Sequence, residues 1–152
     1  MAPAGGEPVT WPGQGSKNSL TLSRTCVWPE LVMAKSRTCR IIDLDGNITE
    51  FRVSLKQSNV ILAGLAFDRE GNLWTQSYVD PHNPLPEGPD HIVKLDKAIN
   101  TAAAGDKIPV TDYEVPTRLT IMHRITPGPD GNMWFTELGT DKLGRVMIRK
   151  GK

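Results

Sequence analysis

The sequence repeats itself, and this repeat restricts the possible folds more than any other feature of the chain. Residues 67–74 read FDREGNLW and residues 127–134 read PGPDGNMW, so an acidic residue, Gly-Asn, an apolar residue and tryptophan recur 60 positions apart. Two shorter patterns recur as well: I-T-E-F and V-T-D-Y at residues 48–51 and 110–113, and a basic residue followed by two apolar ones at residues 40–42, 91–93 and 145–147. Such self-similarity indicates a repeat architecture, in which each unit packs against its neighbours.

Two insertions account for the length of the repeat. Residues 80–89 (DPHNPLPEGP) and 97–106 (KAINTAAAGD) have the turn-forming composition of loops. These two stretches make the repeat 6 and 11 residues longer than its other copies, and without that excess the period is about 43 residues, which matches the ~40–45 residues of a four-stranded propeller blade. The repeat therefore predicts an all-β chain that forms a partial β-propeller of about two four-stranded blades.

Apolar runs and alternating patterns place the strands of these blades. Continuous apolar runs at Val60–Phe67 and 122–126 predict innermost strands, which are buried on both faces. Alternation of polar and apolar residues at 48–53 and 110–115 predicts outer strands. The other predictions are second strands at residues 73–78 and 133–137, third strands at residues 41–44, 92–95 and 145–148, and a short helix at residues 98–104.

The repeat begins only after the first quarter of the chain. Residues 39–152 hold the outer half of one blade, one whole blade and three strands of the next, and form the predicted partial propeller. Residues 1–38 are rich in Gly, Pro, Ser and Thr and do not fit the repeat. They are predicted to form a flexible arm, with a divergent first strand pair as the alternative.

Charge and hydropathy exclude several classes of partner. The net charge of +1 lacks the basic excess that nucleic-acid binding needs. The longest apolar run, Val60–Phe67, is far shorter than the ~20 residues that cross a bilayer, and no leader segment is visible. We therefore expect a cytoplasmic protein with no nucleic-acid or membrane partner. Cys26 and Cys39 lack the spacing of a metal site and are interpreted as reduced thiols, with a disulfide as the alternative.

Residues 123–146, HRITPGPDGNMWFTELGTDKLGRV, resemble one blade of the virginiamycin B lyase family. Blades of that family carry a histidine-x-isoleucine strand, a G-P-D-G turn, a W-F-T-E strand and a K-I-G-R-I strand. The element that follows in the family, G-x-I-T-E-F/Y, is similar to GNITEF at residues 46–51. The resemblance implies a seven-bladed propeller that opens the ring of a cyclic ester (lactone) by Mg²⁺-dependent elimination, of which this chain would hold an incomplete part.

The resemblance also implies two site residues. His123 matches a strand-start histidine that contacts substrate in the family, and Glu137 matches a W-F-T-E carboxylate that helps to hold Mg²⁺. The family's base lies in a Glu-Pro-His sequence, which does not occur here. No catalytic base is therefore assigned. In the other blade Ala63 and Ser77 stand at the positions of His123 and Glu137.

Other polar residues receive less specific interpretations. Asp80-Pro81-His82 is the nearest substitute for the missing base and carboxylate, since aspartate can bind Mg²⁺ and histidine can accept a proton, but a solvated loop is the simpler interpretation. His91 is expected at a surface or strand edge. The two repeat tryptophans, Trp74 and Trp134, are expected to anchor the packing of the blades.

Two other functions remain open, because related blades occur in other propellers. One is a metal-dependent hydrolase of the gluconolactonase and regucalcin type, which needs a set of Glu, Asn and Asp side chains in the central channel. The other is a non-catalytic interaction module. Two blades leave apolar faces bare, so we also expect a homo-oligomer that completes the ring, with three copies supplying about six to seven blades.

Overall fold

A computed structural model describes residues 24–27, 38–43, 47–57, 59–82 and 88–148 of the chain. Within these ranges, no helix is long and apolar enough to cross a membrane. The described elements are ten strands and two short 3₁₀ helices: β1 Arg24–Val27, β2 Thr38–Asp43, β3 Ile48–Arg52, β4 Val60–Phe67, β5 Leu73–Val79, β6 His91–Leu95, the 3₁₀ helix Lys97–Asn100, β7 Val110–Glu114, β8 Met122–Pro127, β9 Met133–Glu137, the 3₁₀ helix Leu138–Thr140, and β10 Lys142–Val146.

The strands form three antiparallel sheets in which consecutive strands are neighbours. Blade 1 is β1-β2-β3, blade 2 is β4-β5-β6-β7, and blade 3 is β8-β9-β10. The innermost strands of blades 2 and 3, β4 and β8, lie against one another. The fold class predicted from the repeat is confirmed, because the chain is all-β and its sheets form part of a propeller.

Most strands lie where the apolar pattern places them, but β2 begins three residues before the predicted 41–44, and the third strand of blade 3 is displaced. Strand β10 covers Lys142–Val146, and the prediction of residues 145–148 is wrong by three positions. The pairing puts Gly144 opposite Phe135, whose ring Cζ would lie 2.1 Å from a Cβ at that position, so only glycine fits under the ring. Arg145 therefore pairs with Trp134, as Lys94 pairs with Trp74 in blade 2.

Blade 1 has one more strand than the sequence pattern predicts. Residues Arg24–Val27, inside the segment interpreted as an arm, form β1 and pair with β2, so this part of the segment favours the alternative of a divergent strand. The remainder of residues 1–38, apart from Thr38, lies outside the described residues.

The register of blade 1 bears on the two cysteines. Cys26 lies opposite Ile41, and Cys39 is a diagonal neighbour on the next strand. Diagonal neighbours are ~7–8 Å apart, beyond the ~4.4–6.8 Å that separates the Cα atoms of a disulfide. The backbone register therefore supports the interpretation of two thiols.

Two apolar clusters lie between the three blades. The first joins blades 1 and 2 and consists of Phe51, Val53, Leu73, Val93, Leu95, Ile99 and Ile108. The second joins blades 2 and 3 and consists of Trp74, Ile92, Val115, Met122, Ile125, Met133, Phe135 and Val146. Alternation along β5 sends Leu73 to the first cluster and Trp74 to the second, so blade 2 is buried on both faces.

The second insertion contributes to this core instead of forming a bare loop. Asp96 caps the 3₁₀ helix Lys97–Asn100 by accepting a hydrogen bond from the Ala98 backbone N–H. The helix is shorter than the predicted 98–104 segment and buries Ile99 completely. Of the first insertion, residues 83–87 lie outside the described ranges.

Candidate functional site

Strands β8 and β9 carry both predicted site residues at the same end of blade 3. Met122 pairs with Glu137 and Ile125 pairs with Phe135, so His123 and Arg124 together face the single residue Thr136 in a β-bulge. The Thr136 hydroxyl oxygen accepts a hydrogen bond from the Arg124 backbone N–H at 3.0 Å. A bulge changes the direction of side chains on an inner strand and is common beside functional sites.

His123 lies on this bulge with its side chain exposed. No hydrogen bond or ion pair of its ring occurs among the described residues. An exposed imidazole on an innermost strand is free to contact a ligand, and as a neutral ring it both donates and accepts a hydrogen bond. The structure thus leaves the His123 side chain exposed, and its contact with substrate stays a prediction.

Glu137 ends strand β9 and is only 5% exposed. Its Oε2 accepts a hydrogen bond from the Thr140 hydroxyl at 3.3 Å, across the 3₁₀ helix Leu138–Thr140. Its partner in the sheet register is Met122, the residue before His123. The two site residues therefore lie on adjacent strands at one end, and no hydrogen bond joins them within the described part of the chain.

The residues present do not fit a magnesium site. The described ranges contain no group of three or more His, Cys, Asp or Glu side chains that could hold a metal ion. Glu137 supplies one carboxylate, whereas Mg²⁺ prefers an octahedron of oxygen ligands. In blade 2 the corresponding register position pairs Leu62 with Ser77, which brings no second carboxylate.

The substitute Asp80-Pro81-His82 is a local turn. Asp80 Oδ1 accepts a hydrogen bond from the His82 backbone N–H at 2.9 Å and lies 3.4 Å from its ring Nδ1. The His82 side chain is 91% exposed and follows β5 instead of starting an inner strand. This geometry supports the interpretation of a solvated loop.

The expected surface position of His91 is wrong. This side chain is 6% exposed because β6 lies between β5 and β7, where His91 pairs with Ser77 on one side and Glu114 on the other. The tryptophans match their expected role more closely: Trp74 is fully buried between blades, while Trp134 remains partly buried.

Sequence reasoning missed a buried carboxylate that joins blade 2 to blade 3. Asp90 is 1% exposed; its Oδ1 accepts from the Val79 N–H at 2.8 Å. Its Oδ2 accepts from both the backbone N–H and the hydroxyl of Thr120, at 2.9 and 2.7 Å. No local pattern signals these bonds, because Asp90 and Thr120 are 30 positions apart.

Thr120 lies in an unusual stretch of backbone just before β8. Its neighbours Leu119 and Ile121 have φ of 54° and 43°, values that residues other than glycine rarely adopt. The Thr120 carbonyl oxygen accepts from the Gly139 N–H at 2.8 Å, which fixes this segment to the end of β9. Asp90 and Gly139 thus position the start of the strand that carries His123.

A buried amide makes a second link between blades 2 and 3. Gln76 is fully buried, and its Nε2 donates to the Arg124 carbonyl oxygen at 2.8 Å. Its Oε1 has no hydrogen-bond partner among the described residues and lies against Gly64, in the bulge of β4. The bulge that carries His123 is therefore held from the neighbouring blade.

Three solved structures of lyases are similar to part of this chain. One described as a streptogramin B lyase structure is 18% identical, with a TM-score of 0.49, over 81% of this chain and 39% of that one. The chain is similar to streptogramin B lyase. Virginiamycin B lyase from Staphylococcus aureus, as a catalytically inactive histidine-to-alanine variant with quinupristin, is 21% identical, with a TM-score of 0.30, over 76% of this chain and 50% of that one.

The selenomethionine form of the same Staphylococcus aureus lyase is 20% identical over the same shares of the two chains, also with a TM-score of 0.30. This chain therefore spans between two fifths and one half of the length of these proteins. No protein-family model and no curated protein sequence matches it.

Proposed function

We propose that the chain is a virginiamycin B lyase-like protein that binds a cyclic ester at blade 3 and takes part in opening its ring by elimination. The observation that supports this most is the position of His123. The motif HRITPGPDGNMWFTE predicts a substrate contact at this residue, and its side chain is exposed on the bulge of an innermost strand.

The proposed chemistry is a proton abstraction followed by loss of the ester oxygen. Removal of a proton next to a carbonyl, with cleavage of the carbon–oxygen bond, leaves an alkene and a carboxylate, so the product is an isomer of the substrate. His123 orients the lactone by a hydrogen bond, and Asp90 and Gln76 act as positioning residues for its strand. The proton acceptor is not among the described residues that match the family, so no base is assigned.

Magnesium has no assigned step in this proposal. The resemblance implies Mg²⁺, but Glu137 alone does not make a site and no ligand cluster accompanies it in the described ranges. A bound metal would need ligands from elsewhere, and its presence is tested by adding EDTA.

Binding and product mass test the proposal separately. We expect a streptogramin B lactone to bind in isothermal titration calorimetry, and His123→Ala to raise Kd about 10-fold, the equivalent of ~1.4 kcal/mol. His82→Ala is the matched control, because His82 is also exposed but lies on the turn after β5, and it should leave Kd unchanged. Equal effects of the two substitutions would contradict the assignment of His123.

Mass spectrometry of the incubated lactone distinguishes the reactions. Ring opening without a change in mass supports elimination, whereas a gain of one water molecule supports the gluconolactonase-like hydrolase. The same incubation with EDTA reports whether a divalent cation contributes.

A non-catalytic binding module is the second candidate. The lack of a three-ligand metal cluster in the described part of the chain favours it over both metal-dependent enzymes. Tight binding of the lactone with no conversion over long incubation would support this candidate.

The proposed partner is a small cyclic ester, with neither nucleic acid nor membrane lipid, and the proposed location is the cytoplasm.

A further inference from the structure

One face of blade 3 corresponds, by strand register, to the face of blade 2 that is buried, but on blade 3 this face is exposed. We call it the free face: Thr126, Trp134, Thr136, Leu143 and Arg145, which share one side of the sheet because they are paired across strands or alternate along them. The opposite side of blade 3 carries Met133 and Phe135 and packs on blade 2.

Each position of the free face has a counterpart in blade 2. Thr136 pairs with Leu143 as Gln76 pairs with Ile92, so Leu143 occupies the register position of Ile92. Ile92 is fully buried between blade 3 and the neighbouring strand β7, whereas Leu143, on the edge strand β10, is 71% exposed. The face of blade 2 that blade 3 covers is therefore repeated on blade 3 without a cover.

The tryptophans show the same relation. Trp74 and Trp134 each have a cation over the ring, Lys94 at 5.9 Å and Arg145 at 5.3 Å from the ring centroid. Trp74 is fully buried and also stacks on Tyr113, while Trp134 stays partly exposed. The cation–tryptophan pair is thus repeated on blade 3, whereas the stacking partner Tyr113 has no counterpart there, because β10 is the last described strand of that blade.

The two internal interfaces show which surface fits the free face. We call the side of a blade that faces the next blade along the chain its leading side, and the side that faces the previous blade its trailing side. At each interface a leading side packs on a trailing side: Phe51 of blade 1 packs with Leu73 of blade 2, and Trp74 of blade 2 packs in one cluster with Met133 of blade 3. The free face of blade 3 is a leading side, so the surface that fits it is a trailing side. Blade 1 has one, and on it lies Ile48, which is 61% exposed and faces away from Phe51.

We propose that the free face of blade 3 docks onto the trailing side of blade 1 in a second copy of this chain. The interface continues the packing that the chain already uses twice. The proposed assembly does not depend on the proposed lyase activity, because its tests measure molecular mass and cross-linking between copies.

The number of blades sets the number of copies. The described part of each copy supplies one four-stranded and two three-stranded sheets, so two copies bring six sheets, within the known range of about four to eight blades, and three copies bring nine, above it. The expectation of three copies assumed two blades per chain, and strand β1 changes that count. Two identical head-to-tail interfaces then close a ring.

Light scattering after size exclusion tests the assembly. We expect the chain to run at twice its 16.7 kDa, and Leu143→Asp to convert it to a monomer, since a buried unpaired charge is costly. Leu119→Asp is the matched control, because Leu119 is 60% exposed, lies off the free face and should leave the mass unchanged. A wild-type monomer, a trimer, or a dimer that Leu143→Asp leaves intact would overturn the proposal.

Cross-linking tests the head-to-tail orientation. In a Cys26→Ser, Cys39→Ser background checked by circular dichroism, Ile48→Cys together with Leu143→Cys should form a covalent dimer with a bismaleimide cross-linker, which spans more than the distance of a disulfide. Leu143→Cys alone should not, because the two copies of that residue lie at different interfaces. Cross-linking by the single variant would show face-to-face packing and would overturn the proposal, as would failure of the double variant to cross-link.

Discussion

At the scale of single residues, both repeat turns form a hydrogen bond from tryptophan to aspartate, but the aspartate stands at a different position in each repeat. In blade 2, Asp68 accepts from the Trp74 ring N–H at 2.8 Å. In blade 3 the carboxylate that accepts from the Trp134 ring N–H, at 3.1 Å, belongs to Asp130. Asp130 stands two positions later in the repeat than Asp68, so the bond is kept while its donor-to-acceptor spacing changes from six residues to four.

Both carboxylates titrate below their ordinary range. Burial alone would raise the pKa of Asp68, but hydrogen bonds from Trp74, Asn72 and Glu70 outweigh it and lower the pKa. Hydrogen bonds from the Asn132 side chain, and next from Trp134, lower the pKa of Asp130 to about 2. A lowered pKa stabilises the fold above the ordinary value of 3.8, and this contribution is lost as pH falls through about 2.

Removal of the indole donor should therefore raise the pKa of one aspartate only. We expect Trp134→Phe to raise the pKa of Asp130 from about 2 towards 3.8, as measured by NMR titration of its carboxyl carbon. Trp74→Phe is the control and should move the titration of Asp68 while leaving Asp130 unchanged. If Asp130 titrates identically in Trp134→Phe and wild type, the indole bond does not cause its low pKa.

At the scale of strands, both innermost strands carry a bulge at the same point of the repeat, at Ala63–Leu65 in β4 and Met122–Ile125 in β8. Gly64 has φ of +46°, and a Cβ there would lie 2.6 Å from Gln76 Oε1 and 3.2 Å from the His123 carbonyl oxygen. The bulge of β4 thus needs glycine both for its backbone conformation and for its contact with β8.

A pair of glycine substitutions separates these two causes. Gly105 has φ of +86° with nothing within 4 Å of a Cβ, so Gly105→Ala should cost about 1 kcal/mol of unfolding free energy from backbone strain alone. Gly64→Ala adds a steric clash, and we expect it to cost ~1–3 kcal/mol more. Urea unfolding followed by tryptophan fluorescence measures both. Equal costs would mean that the contact between β4 and β8 is loose.

The bonds of Asp90 give a second test at the same scale. Asp90→Asn turns one acceptor oxygen into a donor that faces other donors, so we expect a loss of ~1–3 kcal/mol in urea unfolding. Asp96→Asn is the control, because asparagine caps a helix as well as aspartate does, and it should change stability by less than about 0.5 kcal/mol. If both substitutions are neutral, the link from Asp90 to Thr120 does not stabilise the junction of blades 2 and 3.

The sequence predicts those strands whose own residues carry an apolar run or a recognisable motif. The apolar run of β4 and the W-F-T-E strand β9 lie at the predicted residues. Strand β1 was missed because it is defined by its pairing with β2, and β10 was misplaced because the fit of Gly144 under Phe135 decides its register. Within the candidate site, His123 and Glu137 are implied by the resemblance and stay predictions, whereas the bulge and the bonds of Asp90 join residues far apart in the chain and leave no local pattern.

At the scale of the whole molecule, the three blades are not equally covered. Blade 2 has a cluster on each face, whereas blades 1 and 3 each share one cluster with it. In a repeat protein, stability is approximately the sum of each unit and its contacts with its neighbours. Blade 2 should therefore be the last to open, and blade 3 should depend on whatever covers the free face.

Hydrogen exchange of the backbone amides tests this order directly. Strands β5 and β6 are mostly buried, and β10 is mostly exposed. If a second copy covers β10, its amides bonded to β9 should exchange slowly at high protein concentration, and Leu143→Asp should speed them at least about 10-fold while β5 and β6 stay unchanged. Leu119→Asp should match the wild type throughout. Dilution of the wild type should reproduce the effect of Leu143→Asp, since both remove the same neighbour. Slow exchange of β10 in Leu143→Asp at every concentration would mean that blade 3 is stable with one face bare, and the nearest-neighbour account of this chain would then be wrong.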